Sequence, residues 1–487
     1  MSRNFTIRLI GTLLLSVILC GYTYAHTGKP RFHVIIDTDG AVDDMRAITM
    51  LLSGQDIRVL AICCSQGSLP PDEASIKVRS LLTTFHHEGI PVGVGRDSGA
   101  DLPSWGPFAR SIQWGNGGNE AGTASPVEAA EVLDNAIPDY PGQITLIALG
   151  SLRTFADWIR TNPDKMGRID RIIWYNNHHT ELGFNYKASP ESYDYIIKSG
   201  IRLDIVFNAS GNLPVSQVYL DHIRSAGSIY AERIAEVHTQ PAVVEKIETG
   251  RQHLWDDLVP LFLTAPLLFQ TEDQKDVRLV TISGQIPPAY IYEAIGKLLE
   301  SATAANNRVF SAFPEDTALY KPEYAAMANS TIRAYGSVEW KAICLTNEVH
   351  GHTGVYSIIG AKMGIRAMEY FNLGVNNLAV TTFVGHHPPL SCFNDGIQIS
   401  SGATIGQGLI SVSDSISPVP SAIFEFNHRR VHMALKQEIA GQIRDDIKFG
   451  VDHYGLNSDK YWRYIEEKAI RYWAGFDRHE IFEIRKM

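Results

Sequence analysis

The sequence predicts an α/β protein, with an open, mostly parallel sheet that carries helices on both faces and is followed by a smaller α+β domain. From residue 31 to about 210, short β-branched runs alternate with stretches of helical periodicity. Past residue 340 this alternation is lost. The length of 487 residues, with 45% hydrophobic residues, suits two or three globular domains.

The individual elements follow from these patterns. Strand-like runs are predicted at 33–37, 57–63, 91–95, 144–149, 171–176 and 203–207. Helices are predicted at 43–53, 72–86, 127–136, 151–161, 216–238, 255–270 and 288–302, and a long charged helical tail from about 428. The change of texture near 311–335 divides the chain into a first domain at 31–320 and a second at 335–487.

Residues 1–25 have the features of an export signal. Two arginines flank the start, an apolar core runs from Leu9 to Cys20, and Thr23-Tyr24-Ala25 offers a cleavage site. The apolar run is too short for stable membrane insertion, so we expect a periplasmic or secreted protein. The net charge of −10 argues against nucleic acid as a partner, because phosphate binding needs a basic surface.

The segment His33 to Asp44 is the most informative part of the chain. Four carboxylates, on Asp37, Asp39, Asp43 and Asp44, follow a β-branched run and lead directly into a helix. Like charges this close repel one another unless a cation lies among them, and oxygen donors favour Ca²⁺ or Mg²⁺. The alternative is a solvated acidic turn, which a helix N-terminus also favours.

Three later motifs extend this pattern: Thr145–Leu152, a strand that ends in Gly-Ser-Leu; Phe184–Glu191; and Leu254–Leu258, which reads Leu-Trp-Asp-Asp-Leu. Together with the aspartate loop they resemble the inosine/uridine-preferring nucleoside hydrolases over about residues 31–310. The resemblance implies a nucleoside hydrolase-like fold for the first domain. It also implies calcium-dependent hydrolysis of the N-glycosidic bond of a ribonucleoside to free base and ribose.

The resemblance assigns the site residue by residue. Asp39 is the catalytic base, and Ca²⁺ is held by Asp39, Asp44, the Leu149 carbonyl and Asp256. The substrate-binding residues are Asp43, Asn177, Asn185 and Trp255. Because a Trp occupies the position before Asp256, the resemblance favours purine nucleosides. Two departures, Gly183 in place of a glutamate and Ser65-Gln66-Gly67-Ser68 in place of Gly-Asn, leave the exact substrate open.

The last third of the chain carries a second set of candidate ligands. His350-Gly-His352 and Cys392-x-x-Asp395 resemble the E-like domain of the formylmethanofuran dehydrogenases, over about residues 340–475. Two histidines, a cysteine and an aspartate are ligand types for Zn²⁺ or another transition metal. A buried His–His–Cys cluster without a metal is the alternative.

Two other functions fit the aspartate loop. One is a phosphatase of the haloacid-dehalogenase-like type with Asp37 as nucleophile. The other is a non-catalytic nucleoside- or ribose-binding protein, for which Gly183 and Ser68 would be signs of lost turnover. The resemblance to nucleoside hydrolases also leaves a homo-oligomer open.

Overall fold

The computed structural model describes residues 30–97, 101–115, 126–137, 144–176, 183–209, 213–303 and 309–487. Two separate sheets organise these residues, a nine-stranded sheet in the first part of the chain and a five-stranded sheet in the last third. None of the helices in the described ranges is long and apolar enough to span a membrane.

The first sheet has the order β4-β3-β2-β1-β5-β6-β7-β9-β8. Its strands are β1 (Phe32–Thr38), β2 (Ile57–Cys64), β3 (Val92–Val94), β4 (Val127–Glu128), β5 (Ile144–Ala148), β6 (Ile169–Tyr175), β7 (Leu203–Val206), β8 (Phe269–Gln274) and β9 (Val277–Ile282). All neighbours pair in parallel except β8 and β9, which form an antiparallel hairpin at one edge. The predicted, mostly parallel sheet is confirmed.

Helices cover both faces of this sheet. They are α1 (Val42–Ser53), α2 (Pro71–Thr84), α3 (Gly106–Ser111), α4 (Ala129–Ala136), α5 (Arg153–Thr161), α6 (Phe184–Ala188), α7 (Pro190–Ser199), α8 (Gln217–Ser225), α9 (Ile229–Val237), α10 (Pro241–Glu248), α11 (Leu258–Thr264) and α12 (Pro288–Glu300). Because side chains alternate along a strand, Ile36 joins the core beneath α1 and α2, whereas Ile35 joins the core beneath α4 and α5. Burial on both faces explains why β1 is almost wholly apolar.

The strand order reverses beside β1. The chain runs outward from β1 through β2 and β3 to β4, then returns to β5 on the other side of β1. In open α/β sheets, ligands bind in the crevice at the carboxyl ends of the strands at such a reversal. Asp39 follows β1 and Leu149 follows β5, so both lie at this crevice.

The last third of the chain is an α+β unit, as predicted. Its sheet has the order β11-β10-β12-β13-β14, made of β10 (Ala379–Thr382), β11 (Ile410–Val412), β12 (Ser421–Phe426), β13 (Arg429–Leu435) and β14 (Phe482–Lys486). Its helices are α13 (Pro322–Tyr335), α14 (Ser337–His350), α15 (Val355–Phe371), α16 (Phe393–Ser401), α17 (Gln437–Tyr454) and α18 (Asp459–Gly475). Only β10 and β11 pair in parallel within this sheet.

Three element predictions were wrong in detail. The helix predicted at 216–238 is two helices, because Gly227 between them has a φ of +61°. The helix predicted at 255–270 is confined to α11, since Pro266 follows it and β8 then begins. The predicted helical tail from 428 begins instead with strand β13, whose alternating burial is the period of a strand.

The second unit docks on the amino-terminal edge of the large parallel sheet. Gly89, just before β3, donates its N–H to the Tyr370 carbonyl at 2.9 Å. Asn372 Nδ2 donates to the carbonyl of Leu52 near the end of α1 at 3.0 Å. Helices that follow the strands run back across the sheet, so these contacts lie at the edge opposite the crevice that holds Asp39.

Candidate active site and metal centre

A sharp turn brings the four aspartates of the first motif to the crevice. Gly40 has a φ of +79°, and a Cβ there would lie 3.0 Å from the Ala74 Cβ, so both the backbone and the space require glycine. The turn ends at Val42, where α1 begins, and places Asp43 and Asp44 in the first helical turn. Asp44 is buried and Asp43 is half-buried.

Hydrogen bonds hold Asp44 against the end of β1. The Thr38 hydroxyl donates to Asp44 Oδ1 at 2.6 Å, and the Asp39 backbone N–H donates to the same oxygen at 3.1 Å. Asp39 Oδ1 accepts the Ala41 N–H at 3.2 Å. The loop after β2 packs directly on Asp39, because a Cβ at Gly67 would lie 2.1 Å from Asp39 Oδ2. Only glycine leaves room for this approach.

Asp256 joins the cluster from a distant part of the chain. Asp43, Asp44 and Asp256 each place a carboxylate oxygen within 4.8 Å of the others. Asp256 Oδ1 is buried and has no hydrogen-bond partner. The resemblance names Asp39 rather than Asp43 as a ligand beside Asp44 and Asp256, whereas the tight set in the structure contains Asp43.

Burial and mutual repulsion disfavour the charged forms of these groups. Burial, opposed by hydrogen bonds and aided by the charge of Asp43, raises the pKa of Asp39 to about 6. Burial and the neighbouring carboxylates raise the pKa values of Asp44 and Asp256 well above their ordinary range. Several buried carboxylates that share one crevice, with an unpartnered oxygen on Asp256, fit a hard divalent cation.

The structure places Asn185 on the carbonyl that the resemblance assigns to calcium. Asn185 Nδ2 donates to the Leu149 carbonyl at 2.7 Å and to the Tyr175 carbonyl at 3.0 Å. The Leu149 N–H donates to the Asp37 carbonyl at 2.8 Å, which fixes this peptide beside β1. A carbonyl oxygen has two lone pairs, so the contact with Asn185 leaves one for a cation.

Asn177 and its neighbours Glu181, His178 and His179 lie outside the described residues. Gly183, the first residue after this gap, has a structural reason to be glycine. A Cβ there would lie 1.8 Å from Asn176 Oδ1, and Asn176 is buried. The glutamate of the family pattern therefore does not fit at this position without moving Asn176.

Aromatic side chains border the crevice. Trp255 is half-buried and its ring lies 5.6 Å from that of His253. Trp105 donates its indole N–H to Ser68 Oγ at 2.9 Å, and Ser68 in turn hydrogen-bonds Asp39. The Trp105 ring also packs edge-to-face on Phe184 at 4.8 Å. Sequence reasoning missed Trp105, because a single Trp in a loop carries no periodic or motif signal.

The second candidate site is built around His350, the last residue of α14. Its Nδ1 donates to Asp395 Oδ2 at 2.8 Å, while its Nε2 is buried without a partner. The ring of His352 lies 4.3 Å from that of His350, and Cys392 is half-buried with a free thiol. In the part of the chain that the structure describes, Asp43, Asp44 and Asp256 are the one set of three ligand types close enough to share an ion. Asp395 is thus placed as a partner of His350.

Comparison with known proteins adds the family. A model described as "Inosine-uridine preferring nucleoside hydrolase" matches residues 34–307, and one described as "FmdE, Molybdenum formylmethanofuran dehydrogenase operon" matches residues 349–473. "Uridine nucleosidase 1" of Arabidopsis thaliana is 26% identical over 189 residues, which is 36% of this chain and 55% of that protein. "Pyrimidine-specific ribonucleoside hydrolase RihA" of Salmonella arizonae is 25% identical over 42% of this chain and 69% of its own.

A solved structure titled "Purine-Preferring Ribonucleoside Hydrolase from Gardnerella vaginalis" aligns with 55% of this chain and 99% of that chain. The TM-score is 0.45 and the identity 15%. The first of the curated relatives matches this chain over only about half of its own length. The nucleoside hydrolase model, in contrast, spans more than half of the present chain. This protein therefore belongs to the inosine-uridine preferring nucleoside hydrolase family, and a region that matches the FmdE model follows the hydrolase region.

Proposed function

We propose that this protein is a calcium-dependent nucleoside N-ribohydrolase that cleaves ribonucleosides, preferably purine ones, to free base and ribose. The observation that carries the proposal is the meeting of Asp43, Asp44 and Asp256 at the carboxyl edge of the sheet. Family membership of residues 34–307 supports the same reaction.

Asp43, Asp44 and Asp256 would hold the cation, with Asp39 and the Leu149 carbonyl beside them. A bound Ca²⁺ would supply positive charge that orients the sugar hydroxyls and makes a water molecule more acidic. Asp39 accepts the proton of the attacking water, a task for which a pKa near 6 is well suited. A bond forms between the water oxygen and the anomeric carbon as the N-glycosidic bond breaks. Its electron pair leaves with the base, which takes up a proton.

The negative charge of the surrounding carboxylates serves this reaction in a second way. The sugar develops positive charge as the base departs, as in other glycosidic cleavages. Fixed carboxylates that point at this charge stabilise it without reorganising. Asp37 is fully buried and its Oδ2 accepts the Ser65 hydroxyl at 2.6 Å, which is a poor arrangement for the nucleophile of a phosphatase.

A nucleoside panel tests the proposal. We expect the purified protein to release free base from inosine and guanosine in the presence of Ca²⁺, and to lose this activity in chelator. Hydrolysis of p-nitrophenyl phosphate without base release would favour the phosphatase alternative. Nucleoside binding without any base release would favour the non-catalytic alternative.

The purine preference depends on aromatic contacts with the base. We expect Trp255→Ala to raise KM for inosine about tenfold, because base–aromatic stacking contributes about 1–3 kcal/mol per base. The smaller ring of uridine should lose less. Trp462→Ala, which removes an exposed Trp of the second unit, is the control. Equal losses for inosine and uridine would contradict the proposed role of Trp255.

For the second unit we propose a transition-metal site formed by His350, His352 and Cys392, with Asp395 orienting His350. The buried, unpartnered Nε2 of His350 supports this proposal, since a carboxylate on Nδ1 commonly leaves Nε2 as the metal ligand. We also propose that residues 1–25 direct export, so that the mature protein is periplasmic or secreted.

The two sites are expected to be independent. His350→Ala should remove bound zinc or another transition metal, measured by elemental analysis, because a histidine ligand is lost. It should leave kcat for nucleosides within about twofold, because the second unit docks at the sheet edge opposite Asp39 and residues away from contact rarely couple. Asp276→Asn, in an exposed turn, is the control. A large fall in kcat would show that the second unit acts on the first site.

A further inference from the structure

A fully buried arginine links the two halves of the carboxylate cluster. Arg46 lies in α1, two residues after Asp44, and is 0% exposed. Its Nε and Nη2 donate to Oδ1 and Oδ2 of Asp257, each at 2.8 Å, and Nη2 also donates to the His253 carbonyl at 2.9 Å. The side chain of Asp257 is also 0% exposed. This is a two-pronged guanidinium–carboxylate pair, the geometry that fixes direction as well as distance.

Asp257 carries this constraint to the segment that holds Asp256. It directly follows Asp256 in the chain, and its Oδ2 also accepts the Trp255 N–H at 3.3 Å. Arg46 and Asp257 are 211 residues apart in sequence. The pair therefore joins the start of α1 to the turn that precedes α11.

Asp256 has little else to keep it in place. Its Oδ1 has no hydrogen-bond partner, and the charges of Asp44 and Asp43 oppose its own. Before a cation binds, repulsion favours moving Asp256 away from α1. An attractive contact on the adjacent residue opposes this movement at close range.

The far side of Arg46 is also fixed. Its Nη1 lies 3.4 Å from His238 Nε2, and His238 Nδ1 donates to the Ile234 carbonyl at 2.6 Å. Trp114 packs edge-on against the His238 ring. Arg46 thus has a partner on each nitrogen and no free space into which its head group can turn.

We propose that Arg46 and Asp257 are positioning residues that hold Asp256 and Trp255 against Asp43 and Asp44, so that the cation site is formed before the cation arrives. The proposal rests on the proposed function and goes beyond it, since neither residue touches the substrate. It explains why a charged residue interrupts the buried, apolar face of α1, and why a second aspartate follows Asp256.

The test compares calcium affinity, measured by isothermal titration calorimetry, with kcat and KM. The double variant Arg46→Met/Asp257→Leu removes both charges and leaves neither buried alone. We expect its Kd for Ca²⁺ to rise about 10–100-fold, the usual effect of losing a group that orients a ligand. We expect a smaller change in kcat at saturating Ca²⁺, because Asp39 is untouched. Asp257→Asn keeps one acceptor for Arg46 and should show a partial loss, which gives a result even if the double variant does not fold.

Lys362→Met is the matched control. Lys362 and Glu339 form another fully buried ion pair, in the second unit and away from the carboxylate cluster. Its loss should lower stability without changing the affinity for Ca²⁺. Wild-type calcium affinity in both Arg46→Met/Asp257→Leu and Asp257→Asn would overturn the positioning role while leaving the proposed function intact. No calcium binding by the unmodified protein would overturn the proposed metal site, and the positioning role with it.

Discussion

Asp39→Asn is expected to lower kcat for nucleoside hydrolysis by about 10²–10⁴-fold, the usual contribution of a general base. The amide has nearly the same shape as the carboxylate but cannot take a proton from water. Asp39 is 3% exposed and lies under the loop that contains Gly67, so the variant should keep its fold. Steady-state kinetics with inosine at saturating Ca²⁺ measure the effect.

Asp37→Asn separates this reaction from phosphatase chemistry. Asp37 supports the end of β1 from below through its contact with Ser65 and is not placed at the cluster. Its loss should affect kcat less than the loss of Asp39 does. Full activity in Asp39→Asn, or the abolition of a phosphatase activity in Asp37→Asn, would contradict the assignment of Asp39 as the base.

Asp256→Asn should have opposite effects on calcium binding and on the stability of the calcium-free protein. It removes one of three carboxylates that gather within 4.8 Å, so tight calcium binding and activity should be lost. It also removes a buried charge that its neighbours repel, which should raise the melting temperature in chelator. Each kcal/mol of repulsion removed corresponds to a rise of about 2–4 °C for a domain of this size.

Thermal denaturation with and without Ca²⁺ tests both effects. Calcium at about 100 times its Kd should stabilise the wild type by about 2.7 kcal/mol, and this gain should disappear in Asp256→Asn. Asp276→Asn, in the exposed turn between β8 and β9, should retain the calcium effect. A variant that is less stable in chelator than the wild type would show that Asp256 stabilises the fold rather than the cation.

Much of the first domain could be predicted because its signals are local. The β-branched runs and helical periods lie within single elements, and the aspartates of the first motif lie within eight residues. Gly40 also could be recognised, since a turn between a strand and a helix needs a positive φ. The errors occurred where a local pattern was ambiguous, as at Gly227 and in the alternating β13.

The participation of Asp256 came from a resemblance rather than from its surroundings in the sequence. Leu-Trp-Asp-Asp-Leu is also the pattern of an ordinary helix start. Nothing near either residue indicates that Arg46 and Asp257, 211 residues apart, form a pair. The approach of Trp105 to Ser68 and the clash that excludes a side chain at Gly183 were equally hidden.

By itself, then, the sequence determined the class of fold, the turn that collects four acidic side chains after β1, and the chemistry those oxygens can support. Tertiary structure alone decided which carboxylates share a cation, what holds the distant one in place, and on which edge of the sheet the second unit docks. The physical reason is range. Backbone geometry and periodic burial act within a few residues, whereas repulsion and pairing between buried charges act through space and depend on how the whole chain packs.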